Sequence, residues 1–148
     1  MTGMKSRSSR RFLEARMNSP LIEIRITENA LVPHEPVANG SGAVVDFSGI
    51  VRGEEHGQPI RALEYQAYQP MAERQIERLI HELLAEFPCT SVRVSHRVGV
   101  IQVGECAIAL QVAALHRGPA FSFATAFMDR LKQEVPIWKV KAIPSTPA

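Results

Sequence analysis

Residues 70–98, PMAERQIERLIHELLAEFPCTSVRVSHRV, contain the two patterns that decide the fold. The first half predicts an amphipathic helix, because its apolar residues recur every three or four positions and so share one face. These residues are Ile76, Leu79, Ile80, Leu83, Leu84 and Phe87. Pro70 suits the first turn of this helix, and Pro88 ends it. The second half predicts a strand with one buried face, formed by Val92, Val94, His96 and Val98 in alternation with polar residues.

The same two periodicities predict the elements on either side of this stretch. Strands are expected at residues 21–27, 42–51, 60–67, 91–98, 106–114 and 137–141. A second helix is expected to start at Gly118-Pro119 and to stop before Pro136. Its core face comprises Ala120, Phe123, Ala124, Phe127 and Leu131. The order β-β-β-α-β-β-α-β indicates an α+β fold with a mostly antiparallel sheet and two main helices.

Four local features in and between the strands lead to further predictions. Residues 42–51, GAVVDFSGIV, are largely apolar, which indicates a central strand. Gly49 within this strand suggests a bulge or a close backbone contact. Residues 52–57 are interpreted as a polar turn. His96 shares an apolar strand face and is interpreted as a core histidine with satisfied hydrogen bonds rather than as a ligand.

Charge is unevenly distributed along the 148 residues, a length that suits one domain. Residues 1–19 carry five basic side chains against Glu14 alone, a balance of +4, so the rest of the +2 chain carries −2. We therefore divide the chain into a basic tail, residues 1–19, and a single domain, residues 20–148. The tail is interpreted as a disordered extension, as a segment upstream of a true start at Met17, or as a transit peptide. The acidic body argues against nucleic-acid binding.

The sequence gives no support to several other classes of protein. No apolar run reaches the roughly 18 residues of a membrane span, and no signal peptide is apparent, so we expect a cytoplasmic protein without membrane contact. Cys89 and Cys106 are far apart and suit buried thiols better than a disulfide or a metal site. No metal is expected, because no set of His, Cys and carboxylate residues has ligand spacing. The phosphate-binding loops GxxxxGKS/T and GxGxxG and the nucleophile motif GxSxG are also missing.

Basic residues at a few positions stand out against the acidic body and are the candidate functional residues. They are Arg52, His116, Arg117, Lys132, Lys139 and Lys141. Each also has a simpler interpretation. Arg52, His116 and Arg117 suit solvated positions, and Lys132 suits the last turn of a helix, where a cation is favoured. The remaining two lysines suit the exposed face of an edge strand.

The expected geometry favours an anion-binding site over these simpler interpretations. His116 and Arg117 come directly before the predicted second helix, whose N-terminal N–H groups and dipole attract anions. Lys132 and Lys139 flank the Pro136 corner, so their ammonium groups can converge. If Trp138 and Val140 face the core, the lysines on either side share the opposite face. A lysine that is partly desolvated among other cations can act as an acid, a base or a nucleophile.

Five strings, taken in order, resemble the large subunit of the molybdopterin synthase family. They are GAVVDFSGIVRGEEHG, ALEYQAY, HRVGVIQVGE, ALHRGPAF and FMDRLKQEVPIWK, and they lie within residues 21–141. The resemblance implies an α/β-hammerhead fold and a central homodimer in which each protomer binds one small ubiquitin-like subunit, a heterotetramer in all. It also implies an enzyme that needs no cofactor. This sulfurtransferase of molybdenum-cofactor biosynthesis takes sulfur from the C-terminal Gly-Gly thiocarboxylate of the small subunit. Two sulfurs convert cyclic pyranopterin monophosphate to the dithiolene of molybdopterin.

The resemblance also implies roles for individual residues. Lys132 and Lys139 match the essential lysines of the family, the first as an acid, base or electrostatic aid to sulfur attack, the second as an assistant that holds the anion. The implied substrate-binding residues are Arg52 with Ile50 and Val51 before it, His116 and Arg117 in the phosphate and pterin pocket, and Val140 and Lys141. At the last two positions many members carry a basic residue and then a glutamate, so an acidic contact of the family is missing here.

Two other hypotheses remain beside a sulfurtransferase. The chain could be a non-catalytic interaction module that kept the fold and dimer surface, although its retention of Lys132 and Lys139 argues for activity. It could also be an unrelated phosphate-handling α/β enzyme, which would need a nucleophile or a metal site that the sequence does not offer.

Overall fold

The computed structural model describes residues 19–37 and 40–145, so the predicted tail lies outside the described residues except for Ser19. The predicted α+β class with two main helices is confirmed, and eight strands are present in the described part of the chain. The strands are β1 Leu21–Thr27, β2 Ala43–Ile50, β3 Glu54–Glu55, β4 Gln58–Ala67, β5 Ser91–Arg97, β6 Gly99–Gln102, β7 Cys106–Ala114 and β8 Ile137–Pro144. The helices are α1 Met71–Glu86, after β4, and α2 Arg117–Glu134, after β7.

Both helices bury the faces that their periodicity predicts. All five residues predicted for the core face of α2 are buried, and in α1 Ile76, Leu79, Ile80 and Leu83 are buried, whereas Leu84 and Phe87 are half-buried. Phe123 and Phe127 stack with ring centroids 6.2 Å apart. Burial of one such side chain stabilises the fold by roughly 1.5–3 kcal/mol. The two helices and one face of the first sheet thus enclose the main core.

The first sheet has the strand order β1-β5-β7-β2. β1 and β5 are parallel, whereas β5 with β7 and β7 with β2 are antiparallel. The prediction that residues 42–51 form a central strand is wrong, because β2 lies at the edge and pairs only with β7 among the described strands. Its apolar character does not come from burial within this chain, since Val44, Phe47 and Ile50 are 43%, 39% and 50% exposed.

A close approach at Gly49 is confirmed. A Cβ atom at this position would lie 2.7 Å from Cγ2 of Ile108, and the β2–β7 register shifts between Gly49 and Ile50. Only a residue without a side chain allows the two strands to approach so closely, and the irregularity bends the end of β2, whose backbone bonds to the β7 side continue as far as Val51. The residues that follow β2 therefore leave the first sheet and begin the second.

The second sheet is centred on β4, which pairs antiparallel with β3, β6 and β8. The sequence prediction missed β3 and β6 because strands of two and four residues are too short to show a clear alternation. Residues 52–57 are not only a turn. Glu55 pairs with Gln58 across His56 and Gly57, whose φ values of 49° and 78° make a tight hairpin turn. A smaller core lies beneath this sheet, formed by Val51, Ile60, Leu63, Ile101 and Ala107.

Candidate functional site

A cavity of about 450 Å³ lies where the two sheets meet the C-terminal half of α2. Three of the predicted cationic residues line it: Arg52 after β2, Lys132 in the last turn of α2, and Lys139 on β8. The chain reverses direction between the two lysines at Val135 and Pro136, so that β8 runs back along β4 and sets Lys139 opposite Tyr65. Lys132 and Lys139 thus line the same cavity from the two sides of the Pro136 corner.

Apolar residues complete the walls of the cavity. Ile50 and Val51 line it, the first half exposed and the second buried at 3%. From α2, Met128 contributes one turn before Lys132 and Leu131 directly before it. Such walls lower the local polarity, which strengthens the attraction between a cation of the site and any bound anion.

Glu55 places a carboxylate among these cations, which the sequence prediction did not foresee. Its Oε1 lies 3.0 Å from Nζ of Lys139, and its side chain is only 14% exposed. The hydrogen bond from Lys139, with the charge of that lysine, holds the pKa of Glu55 below its usual range. Gly57 was the one cue in the sequence for this hairpin, because glycine adopts a positive φ, here 78°, without strain; the partner of Glu55 had no signal of its own.

His96 also lines the cavity, although the sequence assigned it to the core. It is indeed buried, at 6% exposure, and its Nδ1 lies 2.8 Å from the carbonyl oxygen of Arg97. Tyr65 packs its ring against the imidazole edge to face, with centroids 5.5 Å apart. Burial lowers the pKa of His96 and raises the pKa of Tyr65, so both are uncharged near neutral pH.

Two predicted pocket residues, Val140 and Lys141, lie away from this cavity within the described chain. The assumption that Trp138 and Val140 face the core is wrong, because each is 45% exposed. Among the described strands β8 pairs with β4 alone, and of its apolar side chains Ile137 packs against the main core whereas Trp138 and Val140 do not. Trp138 instead lines the cavity next to Lys139.

His116 and Arg117 do not reach this cavity within one chain. They lie at the start of α2, whereas Lys132 lies at its end, fifteen residues after Arg117, which separates them by roughly 22 Å along the helix axis. Both side chains are exposed, and no side-chain hydrogen bond caps the first turn of α2. The start of α2 thus has free N–H groups beside a guanidinium and an imidazole, as predicted. This group lies at the opposite end of the helix from the cavity.

A second cavity, of about 540 Å³, lies between β1 and the segment 29–35. Its most enclosed cation is already bound, because Nε of Arg93 is 2.7 Å from Glu23 and its Nη1 is 2.8 Å from the carbonyl oxygen of Glu35. It contains none of the predicted site residues. In residues 19–37 and 40–145 no group of three His, Cys, Asp or Glu residues is arranged to hold a metal ion, and neither helix is long and apolar enough to cross a membrane.

Comparison with known proteins gives one consistent result. Residues 23–134 match the family described as MoaE protein. A molybdopterin synthase catalytic subunit from a Nostoc species is 38% identical over 102 residues, which are 68% of this chain and 62% of that protein, slightly less than two thirds of its length. The crystal structure of molybdopterin synthase from Staphylococcus aureus has a TM-score of 0.71 at 32% identity and covers 84% of this chain and 92% of that one.

A further solved structure supports the fold alone. It is a complex of subunits 1 and 2 of the molybdopterin-converting factor from Helicobacter pylori, with a TM-score of 0.63 at 21% identity. The match covers 84% of this chain and 90% of that one.

Proposed function

This chain belongs to the MoaE family, the catalytic subunits of molybdopterin synthase in molybdenum-cofactor biosynthesis, and from that premise we propose how it works. The substrate is cyclic pyranopterin monophosphate, and the sulfur donor is the C-terminal thiocarboxylate of a small ubiquitin-like subunit. Two sulfurs are transferred in succession, and the product is the dithiolene of molybdopterin. The observation that carries this proposal is the convergence of Arg52, Lys132 and Lys139 on one cavity.

The charge of the cavity suits this chemistry because both reactants are anions. The cyclic phosphate and the thiocarboxylate repel each other in water, so a site that brings them together has to supply fixed positive charge. Lys132 is proposed to lie beside the reacting sulfur as an acid, a base or an electrostatic aid, and Lys139 to assist and to hold the anion. Arg52, with Ile50 and Val51, is proposed to bind the substrate at the end of β2.

The mouth of the cavity suits a protein partner with an extended tail. Ile50 and Trp138 line it and are 50% and 45% exposed, and Val140, with equal exposure, follows on β8. An apolar rim around a cationic cavity matches a peptide that ends in a charged thiocarboxylate. The matching chain from Helicobacter pylori has the same fold and was solved in a complex of two subunits, which is consistent with such a partner. We propose that Val140 and Lys141 contact this partner or substrate once the partner covers β8.

A second copy of this chain would explain His116 and Arg117. The edge of β2, where Val44 and Phe47 are 43% and 39% exposed, is a surface that another protomer can cover. A homodimer could then bring the start of one α2 to the cavity of the other protomer, where His116 and Arg117 would bind phosphate. Mixing Lys132→Ala chains with Arg117→Ala chains tests this arrangement. If each site takes Lys132 from one protomer and Arg117 from the other, half of the dimers in the mixture contain both kinds of chain and one of their two sites is intact, so up to about a quarter of the wild-type rate returns. If each site lies within one protomer, no activity returns.

A cytoplasmic location is also part of the proposal. Cys89 and Cys106 are both free thiols, which suits a reducing compartment.

The central test is a reconstituted reaction. The chain is mixed with a thiocarboxylated small subunit and cyclic pyranopterin monophosphate, and molybdopterin is assayed as its fluorescent oxidation product. Lys132→Ala is expected to lower the rate by at least about 100-fold, the scale of one lost electrostatic or acid-base contribution. Gln133→Ala, the exposed neighbour on α2, is the matched control and should keep the full rate.

The complex with the small subunit is measured in parallel by native mass spectrometry. Lys132→Ala is expected to bind the small subunit as the wild type does, which separates catalysis from assembly. Full activity of the Lys132→Ala variant would remove this lysine from the mechanism. No product from the wild-type chain would refute the proposed function.

A further inference from the structure

The imidazole of His96 is enclosed on nearly every side yet faces the cavity. On β5 it pairs with Ile26 of β1 and with Ile108 of β7, so the first sheet surrounds its backbone. Its exposure is 6%, and it lines the same cavity as Lys132 and Lys139. A side chain so enclosed cannot turn outward to solvent, and the cavity is the place where its remaining surface meets a ligand.

The hydrogen bond to Arg97 determines which ring nitrogen is available. A carbonyl oxygen can only accept, so Nδ1 carries the proton and donates across the 2.8 Å contact. In a neutral imidazole Nε2 then has a free lone pair. Nε2 bonds to no described residue. In the described chain, two side-chain atoms are both fully buried and without a hydrogen-bond partner, and they are Gln75 Oε1 and Ser91 Oγ. Nε2 of His96 has no partner and is not one of these two atoms, so it is not fully buried. Nε2 therefore keeps access to the cavity.

The neutral form of His96 is set by burial. The protein around the ring lowers its pKa, and the bond to the Arg97 carbonyl opposes this only in part. Other titratable groups face the same cavity from every element around it: Tyr65 on β4, Glu55 on β3, Arg52 after β2, Lys132 on α2 and Lys139 on β8. At pH 7 the lone pair of Nε2 is thus free to take a proton.

The proposed sulfur transfer needs such a proton acceptor. Once the thiocarboxylate sulfur has bonded to the pterin substrate, the small subunit is joined to it through a thioester. Water must then add to the acyl carbon. The new C–O bond replaces the C–S bond, sulfur stays on the pterin as a thiolate, and the small subunit leaves as a carboxylate. The hydrolysis consumes one water and releases two protons.

We propose that His96 is the general base of this hydrolysis, with Nε2 taking a proton from the attacking water. The second proton, that of the new carboxyl group, passes to solvent. This proposal rests on the proposed function and deepens it, because it divides the work of the cavity. Lysines and Arg52 hold the anions, and a neutral base completes each of the two transfers.

The other groups in the cavity are poorer candidates for this step. Glu55 is paired with Lys139, and its lowered pKa makes it a weak base. The raised pKa of Tyr65 keeps its hydroxyl protonated near pH 7. Among the described residues that line the cavity, His96 is the group that is both uncharged and able to accept a proton.

Two substitutions separate the base from the structural role of the ring. His96→Asn can keep a donor where Nδ1 stood, and so the bond to the Arg97 carbonyl, while it removes Nε2. His96→Gln puts an amide near Nε2 that can accept a hydrogen bond but cannot take a proton. Ser95→Ala, a buried neighbour on β5 that does not line the cavity, is the matched control. Circular dichroism and thermal unfolding check that each variant folds.

The measurement is a single turnover followed by mass spectrometry of the small subunit. The wild type converts thiocarboxylate to carboxylate without accumulating a conjugate. Both His96 variants are expected to form the conjugate with the pterin and to hydrolyse it about 100-fold or more slowly, the scale of a lost general base. In the wild type the hydrolysis rate falls as pH drops through the lowered pKa of His96, and the variants should lose this acid limb.

Each outcome has a separate meaning. A wild type that forms product, with variants that hydrolyse the conjugate at the wild-type rate and keep the acid limb, overturns the role of His96 and leaves the proposed function intact. If neither variant folds, NMR of the imidazole nitrogens in the wild type decides. Nε2 protonated at pH 7 refutes the proposal, and Nε2 unprotonated with Nδ1 protonated supports it.

Discussion

Replacement of Glu55 by glutamine tests how the cavity holds its charge. Nζ of Lys139 lies 3.0 Å from Oε1 of Glu55, so under the proposed function a substrate anion would compete with this carboxylate for the same ammonium group. Glu55→Gln keeps the shape and a hydrogen-bond acceptor but removes the negative charge. We expect the isolated chain to bind cyclic pyranopterin monophosphate more tightly after this change.

The size of the effect follows from the exposure of the pair. Lys139 is 45% exposed and Glu55 14%, which places the ion pair near the surface, where such pairs contribute about 0.5–1 kcal/mol. Loss of that competition corresponds to about two- to fivefold tighter binding. The substrate is also an anion, so removal of the negative charge of Glu55 lowers the repulsion between them and tightens binding further. Because solvent ions screen an exposed pair, the gain should shrink at about 0.5 M salt.

Isothermal titration calorimetry with the wild type, Glu55→Gln and Glu54→Gln measures this effect. Glu54 is the exposed neighbour on β3, forms no ion pair among the described residues, and serves as the control. The low pKa of Glu55 keeps it charged across the neutral range, so the difference should be constant there and should close only in acid. Weaker binding by Glu55→Gln would refute the idea of competition and would make Glu55 a substrate contact.

Three further predictions concern the rest of the chain. Phe127→Ala empties a fully buried site in α2 and should lower the free energy of unfolding by about 3–5 kcal/mol in urea titrations, whereas Phe121→Ala, 58% exposed, should change it by no more than about 0.5 kcal/mol. Burial raises the pKa of Cys89 to about 11, so at pH 8 iodoacetamide should label it slowly in the folded chain and quickly in urea; fast labelling of the folded chain would contradict its burial. Deletion of residues 1–16, within the proposed tail, should leave the rate of molybdopterin formation unchanged, and a large loss would show that the tail is functional.

The helices and most strands could be predicted because their signals are local. The buried face of α2 follows from side chains three and four positions apart, which one helix turn brings together whatever the rest of the chain does. The alternation in β1 and β5 works in the same way at a period of two. The lysines on either side of Pro136 are only seven residues apart, so their approach also needed little more than a reversal of the chain at that corner.

The position of each strand within its sheet depended on distant partners. The apolar run of β2 predicted a buried strand, yet β2 lies at an edge, because pairing is decided between segments about 60 residues apart. An apolar strand indicates side chains that are buried in the functional state. Its composition does not tell whether they are buried by the same chain or by another one.

The sequence by itself determined the helices, most strands and the cationic character of the site, since these depend on residue type and short spacing. Only the tertiary structure decided that Glu55 binds Lys139, that His96 faces the cavity, and that His116 lies at the far end of α2 from Lys132. Glu55 and Lys139 are 84 residues apart in the chain. This contact arises because β3 and β8 both pair with β4, and no local pattern encodes the distance between two side chains on strands so far apart in sequence.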